Sequence, residues 1–515
     1  MTAQQIEKSS HFQEPLDVAT SAKHHEDAAA LNEHVTDEAS VELAAILSGT
    51  STNERILLKA AAGAGKSYAL KRLVVEATQH APGQRVAITA FTNKQVRPLA
   101  VSLAETLGKD AVALLAGKDA YFDIPQEVLD AATVVTSTAN LSLNVHVVIG
   151  TVARFGAISE RKRLLDHLGS ASDGASPFDV LFVDEAWQIA HHLFDQITKL
   201  APIWVGVGDV GQLPPLEIGQ NPWRGDPAYN PYRAWPTEYD DDARTWSREL
   251  PTVWRPAAGH LALWRAFYPE WEGSLDCVAA PGDRSIDFGP MDDGAAEIWR
   301  QVGTGVPTLL EVDGLPDAEA ADIDLPLMNF LEALLDEFIT AEPTLTSAVY
   351  DRNVSGRPTG GWETVALRGP HSDPLITILA TRNQSVDDAT EVVLRLQERH
   401  NLTDRDVVAS TVDSWQGQTN GITIAVHPLN GAAELDVFNS AFGRLAVACT
   451  RATHGLLMLA RPGLDELLAE APARPGTPFG EPGTRQLPRQ THARILATFA
   501  RSAIDVSDDD LAQPE

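Results

Sequence analysis

The octapeptide AAAGAGKS, Ala60 to Ser67, constrains this chain more than any other stretch. It follows the apolar run Ile56-Leu57-Leu58, which reads as a buried strand. It precedes Tyr68 to Val75, whose apolar spacing suits a helix packed on a sheet. Strand, small-residue loop, Gly-Lys-Ser and helix together make a phosphate-binding loop. Small residues let backbone N–H groups close around phosphate oxygens, and the helix N-terminus adds partial positive charge. Ala62, Gly63, Ala64 and Gly65 would form the cradle, Lys66 would reach the β and γ phosphates, and Ser67 would ligate Mg2+. Ala60 stands where the general pattern has Gly, while Gly63, Gly65, Lys66 and Ser67 stay in register.

Such a loop needs a carboxylate partner at the end of another buried strand. DVLFVDEAWQ, Asp179 to Gln188, supplies it: Asp184 would hold Mg2+ through water, and Glu185 would polarise the attacking water. A further apolar strand ends in Gly208-Asp209, followed by Gln212, an amide placed to sense the γ-phosphate. AFTNKQV, Ala90 to Val96, puts an aromatic and two polar groups after a strand, where they can stack a base and bond a phosphate. The following aromatic and arginine-rich stretch holds Trp223, Tyr229, Tyr232, Arg233 and Trp235, a composition that suits either stacking on unpaired bases or a Pro-braced loop with buried rings. In VWRP, Trp254 could stack on adenine and Arg255 could reach the γ-phosphate.

Strands alternating with helical patterns along 515 residues predict an α/β fold of two or three domains. No apolar run reaches the ~18 residues of a membrane span and the N-terminus does not read as a signal peptide. Only Cys277 and Cys449 occur, without metal-ligand spacing, which fits a reducing cytoplasm. The net charge of −31 argues against a nucleic-acid binder until its distribution is considered. Met1 to Thr50, Pro281 to Leu345 and Arg501 to Glu515 together carry about −24, leaving about −7 for the motif-bearing remainder. A basic groove is compatible with that, though long-range attraction to polyanions is weak. No lysine follows Lys199, so cationic contacts in the second half must come from arginine. The expected organisation is an acidic, partly disordered tail over 1–40 and a first domain over 41–250 with a small insertion near 108–145. A second domain over 251–465 carries an acidic insertion near 281–345, and a Pro/Gly-rich extension with an acidic tail covers 466–515.

The order of these motifs resembles superfamily 1 helicases, with features of both the UvrD/Rep family and the Upf-type RNA-surveillance helicases. AAAGAGKS is similar to the UvrD-type first motif, VDEAWQ to the DEAxQ form of the metal and water motif, and GDVGQLPP to the Upf-type third motif. AFTNKQV resembles the motif that places Phe91, Thr92 and Asn93 on a single strand, and NPWRGD resembles the Trp-Arg-Gly that puts Trp223 against a base. VWRP resembles the Tyr-Arg motif, WQGQTNG motif V, and VACTRAT the VALTRA motif whose arginine, here Arg451, is a finger on the γ-phosphate. The resemblance also implies Arg382 and Gly417 on the nucleotide and Thr151 and Thr411 on the strand. It covers roughly Arg55 to Pro462 in pieces. It implies two RecA-like phosphate-loop domains with parallel sheets, ATP in the cleft between them and a single strand bound by both. Motif V departs from the family, since Thr419 and Gly421 stand where Glu and Asp are usual, and the upstream Gln that reads adenine has no counterpart. The large insertion of UvrD relatives is also absent.

The reading is an ATP-dependent helicase or translocase on single-stranded nucleic acid, DNA ahead of RNA, with ATP and Mg2+ as cofactors. The alternative is a nucleotide-gated binding subunit of a larger defence, phage or plasmid complex, its acidic segments docking a protein partner. A packaging motor fits QLPP and CTRAT less well.

Overall fold

The structure, a computed structural model, describes residues 11–81, 83–211, 213, 215, 230–271, 274–320, 322–351, 356–435, 439, 442–471 and 488–506. The chain divides into two compact units. One comprises Leu31–Val210 and Pro214–Pro251, the other Met1–Ala30, Gly211–Leu213 and Thr252–Glu515. Both are α/β, each built on a parallel sheet of the RecA-like kind.

Among the described residues, the phosphate-loop unit holds eight strands: β1 (Arg55–Ala60), β2 (Val86–Ala90), β3 (Val112–Leu115), β4 (Thr133–Val135), β5 (Val147–Thr151), β6 (Val180–Asp184), β7 (Ile203–Asp209) and β8 (Thr245–Leu250). Their order is β4-β3-β5-β2-β6-β7-β1-β8, and neighbouring strands run parallel. A parallel sheet covered on both faces needs strands that are apolar on both sides, and β2 and β6 are buried at every residue. The order sets the site. β7 lies between β1 and β6, so the C-terminal ends of β1, β7 and β6 stand side by side, where open α/β sheets bind ligands. The 108–145 segment adds β3 and β4 at one edge of this sheet.

The first helix, α1 (Glu26–Leu47), corrects the expectation of a tail over 1–40. Ala28, Ala29, Asn32, Thr36, Ala39, Leu43 and Ile46 are buried at three- and four-residue spacing, and the acids fall between them. Acidity had masked an amphipathic helix. Residues 1–10 lie outside the described residues, while Gln13 pairs with Arg501 in the second unit.

In the second unit the short strands β9 (Thr252–Val253) and β10 (Asp276–Cys277) pair with each other. Strands β11 (Arg284–Asp287), β13 (Thr344–Tyr350) and β14 (Pro358–Ala366) form a small antiparallel sheet. The main sheet uses β12 (Thr308–Asp313), β15 (Ile376–Ala380), β16 (Val407–Thr411), β17 (Asn420–Val426), β18 (Ala452–Ala460) and β19 (Ala500–Asp505), in the order β16-β15-β17-β18-β12-β19. All its pairs are parallel.

Two boundary expectations are overturned here. The acidic 281–345 segment is no insertion: it contributes β12 to the sheet interior and two helices, Asp293–Gly303 and Leu325–Thr340, to the core. Trp299 stacks on Phe338 at 3.8 Å between ring centroids, and Leu309, Leu310, Leu331 and Leu334 are fully buried. Its acids face arginines of the same unit. Glu332 and Asp336 meet Arg395 and Arg399, Glu311 meets Arg501, Glu342 meets Arg368, and Asp324 meets Arg461 at 2.8 Å. The excess negative charge is thus partly balanced inside the fold, which weakens the case for a docking surface there. Within 466–515, β19 closes one edge of the sheet against β12, so that part is fold rather than extension. Residues 472–487 and 507–515 lie outside the described residues.

Four histidines of this unit, His260, His427, His454 and His492, are buried, and the first three are held neutral. Burial pushes each of these three imidazoles down to about 3, helped by Arg284 for His260 and His454 and by His492 and Arg501 for His427. An unfolded histidine titrates near ~6.5, so below that pH the unfolded chain takes up protons that the folded unit refuses. Stability is therefore complete above about pH 6.5 and falls as the pH drops toward 3. His260 stacks on Trp264, and neither of its ring nitrogens has a hydrogen-bond partner among the described residues. His260→Phe keeps the stacked ring and removes the titration. Its acid-unfolding midpoint is expected at lower pH than wild type, with no loss of melting temperature at pH 7; an unchanged midpoint in a pH titration by circular dichroism contradicts this.

Candidate functional site

β1 delivers the chain into the phosphate loop, where Ala61, Ala62 and Ala64 are buried. Gly63 has φ +74° and Gly65 has φ +90°, conformations in which an L side chain is strained. The next helix, α2 (Lys66–His80), starts directly after Gly65, and no side chain caps its first turn. Tyr68 and Ala69 N–H donate to the Gly65 carbonyl, and the helix start ahead of them, uncapped by a side chain, suits an anionic ligand. Ser67 is exposed at this end. A buried residue of α1 braces the loop: Asn32 Nδ2 donates to the Ala64 carbonyl at 2.8 Å. No local sequence signal marks Asn32, because its partner lies 32 residues away.

Lys66 Nζ lies 3.1 Å from Glu185 Oε1 and 3.6 Å from Asp209 Oδ2. Burial disfavours the charged ammonium, but Glu185, Asp209 and Asp184 outweigh it, and its pKa is raised. Asp184 is pushed up to about 7 by burial and by the Glu185 charge, against the pull of Lys66. Three carboxylates crowd one cation. Asp209 ends β7, and its place beside Lys66 comes from β7 lying next to β1. Gly208 makes that packing possible, since a Cβ there would sit 2.7 Å from Ala186 N and 2.8 Å from a Trp187 ring carbon. Glu185 itself has φ +48° and ψ +46°, a left-handed conformation that costs a non-glycine residue roughly 1–2 kcal/mol.

The second oxygen of Glu185 is approached by Gln188 Nε2 at 3.4 Å. Gln188 Oε1 accepts from Gln95 Nε2 at 2.9 Å, and Gln95 Oε1 accepts the Thr92 N–H at 2.9 Å. Gln95 belongs to the capping box of α3 (Asn93–Leu107), with Thr92 as its N-cap. Thr92 and Asn93 are exposed, while Phe91 is half-buried and packs partly on the core.

Thr151 ends β5 and caps the short helix Val152–Phe155 by accepting from Arg154 N. Thr411 ends β16 and caps Val412–Trp415 in the same way, accepting from Ser414 N at 3.1 Å. Their backbone angles, φ −70° and ψ 158° against φ −71° and ψ 149°, are nearly identical, so the two units repeat one device. Arg382, like Thr92, is the residue that precedes the first residue of a helix after a strand. Gly417 is exposed with φ +83°. Gln212 and Trp223 lie outside the described residues.

Trp254 packs against Ala28, Val278 and Tyr350. Arg255 and Arg451 meet at one residue although 195 positions separate Arg255 from it: Arg255 Nη1 donates to the Thr450 carbonyl at 3.1 Å, and Arg451 Nη2 donates to Thr450 Oγ1 at 2.8 Å. Arg451 is 1% exposed and also reaches the Gln418 carbonyl. In the altered motif V, a Cβ at Gly421 would lie 2.7 Å from the Leu375 backbone carbonyl oxygen, so close packing excludes the usual Asp. Asn420 links Trp415 to Thr423 through its side-chain amide. One aromatic of the arginine-rich stretch is core: Trp235 is fully buried and stacks on Phe194 at 3.9 Å, so it offers no face to a base.

Residues 42–222 match the model of a family described as an AAA domain. Most of the phosphate-loop unit thus resembles an AAA-type domain, consistent with the superfamily 1 resemblance. No curated protein sequence matches the chain. Among solved structures it is similar to the PRRSV helicase, at 13% identity and TM-score 0.35, over 82% of this chain and 56% of that one. It is also similar to the Pyrococcus furiosus Hef helicase domain, at 10% identity and TM-score 0.34, over 84% and 96% of the two chains. The DUF1998 helicase MrfA bound to DNA matches at 10% identity and TM-score 0.37, over 98% of this chain and 55% of that one. The chain thus spans a little over half the length of two of these proteins. Among the described residues, no helix is long and apolar enough to cross a membrane.

Proposed function

We propose that the chain is an ATP-dependent translocase or helicase acting on single-stranded nucleic acid, DNA ahead of RNA, in the cytoplasm. The observation that carries this reading is the convergence of Lys66, Asp184, Glu185 and Asp209 beside an uncapped helix start. The residues fit a magnesium nucleotide. Glycines in left-handed conformation and a helix start uncapped by a side chain suit phosphates, and crowded carboxylates with an exposed hydroxyl at Ser67 suit a hard cation. When bound, Mg2+ would offset the charge on the phosphate oxygens, with Ser67 and Asp184 holding it. Lys66 would turn from its carboxylates to the β and γ phosphates, and Glu185 would accept a proton from the attacking water. Gln212, Arg255 and Arg451 are assigned to the γ-phosphate, and Trp254, Arg382 and Gly417 to the rest of the nucleotide. Phe91, Thr92, Asn93, Thr151, Trp223 and Thr411 are assigned to the strand, and the matching caps at Thr151 and Thr411 support a repeated phosphate contact.

The second reading is a nucleotide-gated binding subunit without robust unwinding. Replacement of the motif V acid by Gly421 favours it. Hydrolysis stimulated by naked single strands supports the translocase. Strand binding that depends on ATP, without stimulation, supports the alternative.

A further inference from the structure

We propose that Gln95 and Gln188 are positioning residues that couple occupancy of the loop Phe91–Asn93 by a nucleic-acid strand to the placement of Glu185; this rests on the function proposed above. The three side chains form a continuous hydrogen-bonded line from an exposed backbone N–H to the carboxylate. Gln95 has both ends of its amide engaged, its oxygen by Thr92 N–H and its nitrogen by Gln188. Gln188, nearly buried, likewise faces Gln95 with its oxygen and Glu185 with its nitrogen. An amide bonded at both ends cannot turn without losing both partners, so a displacement at Thr92 is passed along the line.

Glu185 is held from two sides. Lys66 holds Oε1 at 3.1 Å, and Gln188 lies 3.4 Å from Oε2. A general base needs an oxygen facing the water it deprotonates. Phosphates that draw Lys66 away free the first oxygen. A strand that moves the exposed Thr92 and Asn93 shifts Gln95, turns Gln188 and frees the second. Rapid hydrolysis then requires both ligands.

The capping box offers a plain structural role for Gln95, and Gln95→Glu separates the two. A glutamate at this position accepts the Thr92 N–H and keeps the cap, but it cannot donate to Gln188. Gln188→Ala removes the next link as an independent check. The measurement is steady-state ATP hydrolysis with and without a single-stranded oligonucleotide, together with oligonucleotide affinity, ATP affinity and melting temperature. In both variants the ratio of stimulated to unstimulated rate is expected to fall at least about fivefold below wild type, the lower end of typical coupling between sites. Affinities and melting temperature of Gln95→Glu should stay close to wild type. A wild-type chain that is stimulated while Gln95→Glu is stimulated equally overturns the relay alone. A wild-type chain that no strand stimulates overturns the relay and the translocase reading together.

Discussion

Lys66→Ala is expected to abolish ATP hydrolysis and nucleotide affinity together, whereas Glu185→Gln abolishes hydrolysis and keeps the affinity. The two residues touch each other at 3.1 Å, yet they are assigned opposite duties. Lys66 pairs with both Glu185 and Asp209, and it stands at the start of α2 where phosphates would bind. Its loss removes the ligand's counter-charge and leaves three neighbouring carboxylates facing one another, so the ligand-free variant should also melt at lower temperature. Glu185→Gln acts the other way. It removes one charge from the cluster and with it the repulsion that, after burial, raises the Asp184 carboxyl. Binding of the nucleotide should survive, and hydrolysis should fall by about 10² to 10⁴, the usual contribution of a general base. Nucleotide titration followed by fluorescence, with hydrolysis on the same preparation, checks both. Near-normal hydrolysis by Glu185→Gln removes it from the role of base.

Arg255→Ala and Arg451→Ala are each expected to slow single-turnover hydrolysis by about 10³ or more, because an arginine finger neutralises charge that grows in the transition state. ATP affinity should change far less, and strand affinity without nucleotide should stay near wild type, since Phe91, Thr151 and Trp223 are assigned to the strand. Both guanidinium groups bond to Thr450, so the second unit gathers them at one point. That point carries its own alternative. Arg451 is almost completely buried and bonds Thr450 and Gln418, so its truncation removes packing as well as charge. Arg255 is only half-buried and gives the cleaner test. Melting temperature and single-turnover rate, measured on one preparation, separate the two roles. A lowered melting temperature with wild-type hydrolysis per folded molecule makes Arg451 structural.

The parallel sheets were legible because β1, β2, β6, β15 and β17 are almost wholly buried, and an all-apolar run needs no tertiary information to be read as a strand. Two strands, β12 and β19, lie next to acidic or Pro/Gly-rich sequence that obscures them. β12 sits in a segment of high negative charge whose acids meet distant arginines, and β19 follows a Pro/Gly-rich run. The first half of helix α1 is masked likewise, its buried Ala28, Asn32, Thr36 and Ala39 being small or polar. Motif spacing brought Lys66 and Glu185 to attention, since a phosphate loop and a strand-end carboxylate pair have fixed local geometry. Gln188 and Gln95 lie inside the quoted motifs VDEAWQ and AFTNKQV but have no assigned role there, Asp209 reads only as a strand end, and Asn32 has no local signature. Their roles arise only when strand order and helix packing bring them to the loop.

The central claim is that a single strand drives ATP turnover at the Lys66 and Glu185 site. Steady-state ATP hydrolysis by the full chain, measured alone, with single-stranded DNA and with single-stranded RNA, tests it most directly. Hydrolysis alone is expected to be slow, with a marked acceleration by a strand, greater with DNA, that Glu185→Gln eliminates. Hydrolysis that is absent throughout, or that neither nucleic acid changes, contradicts it.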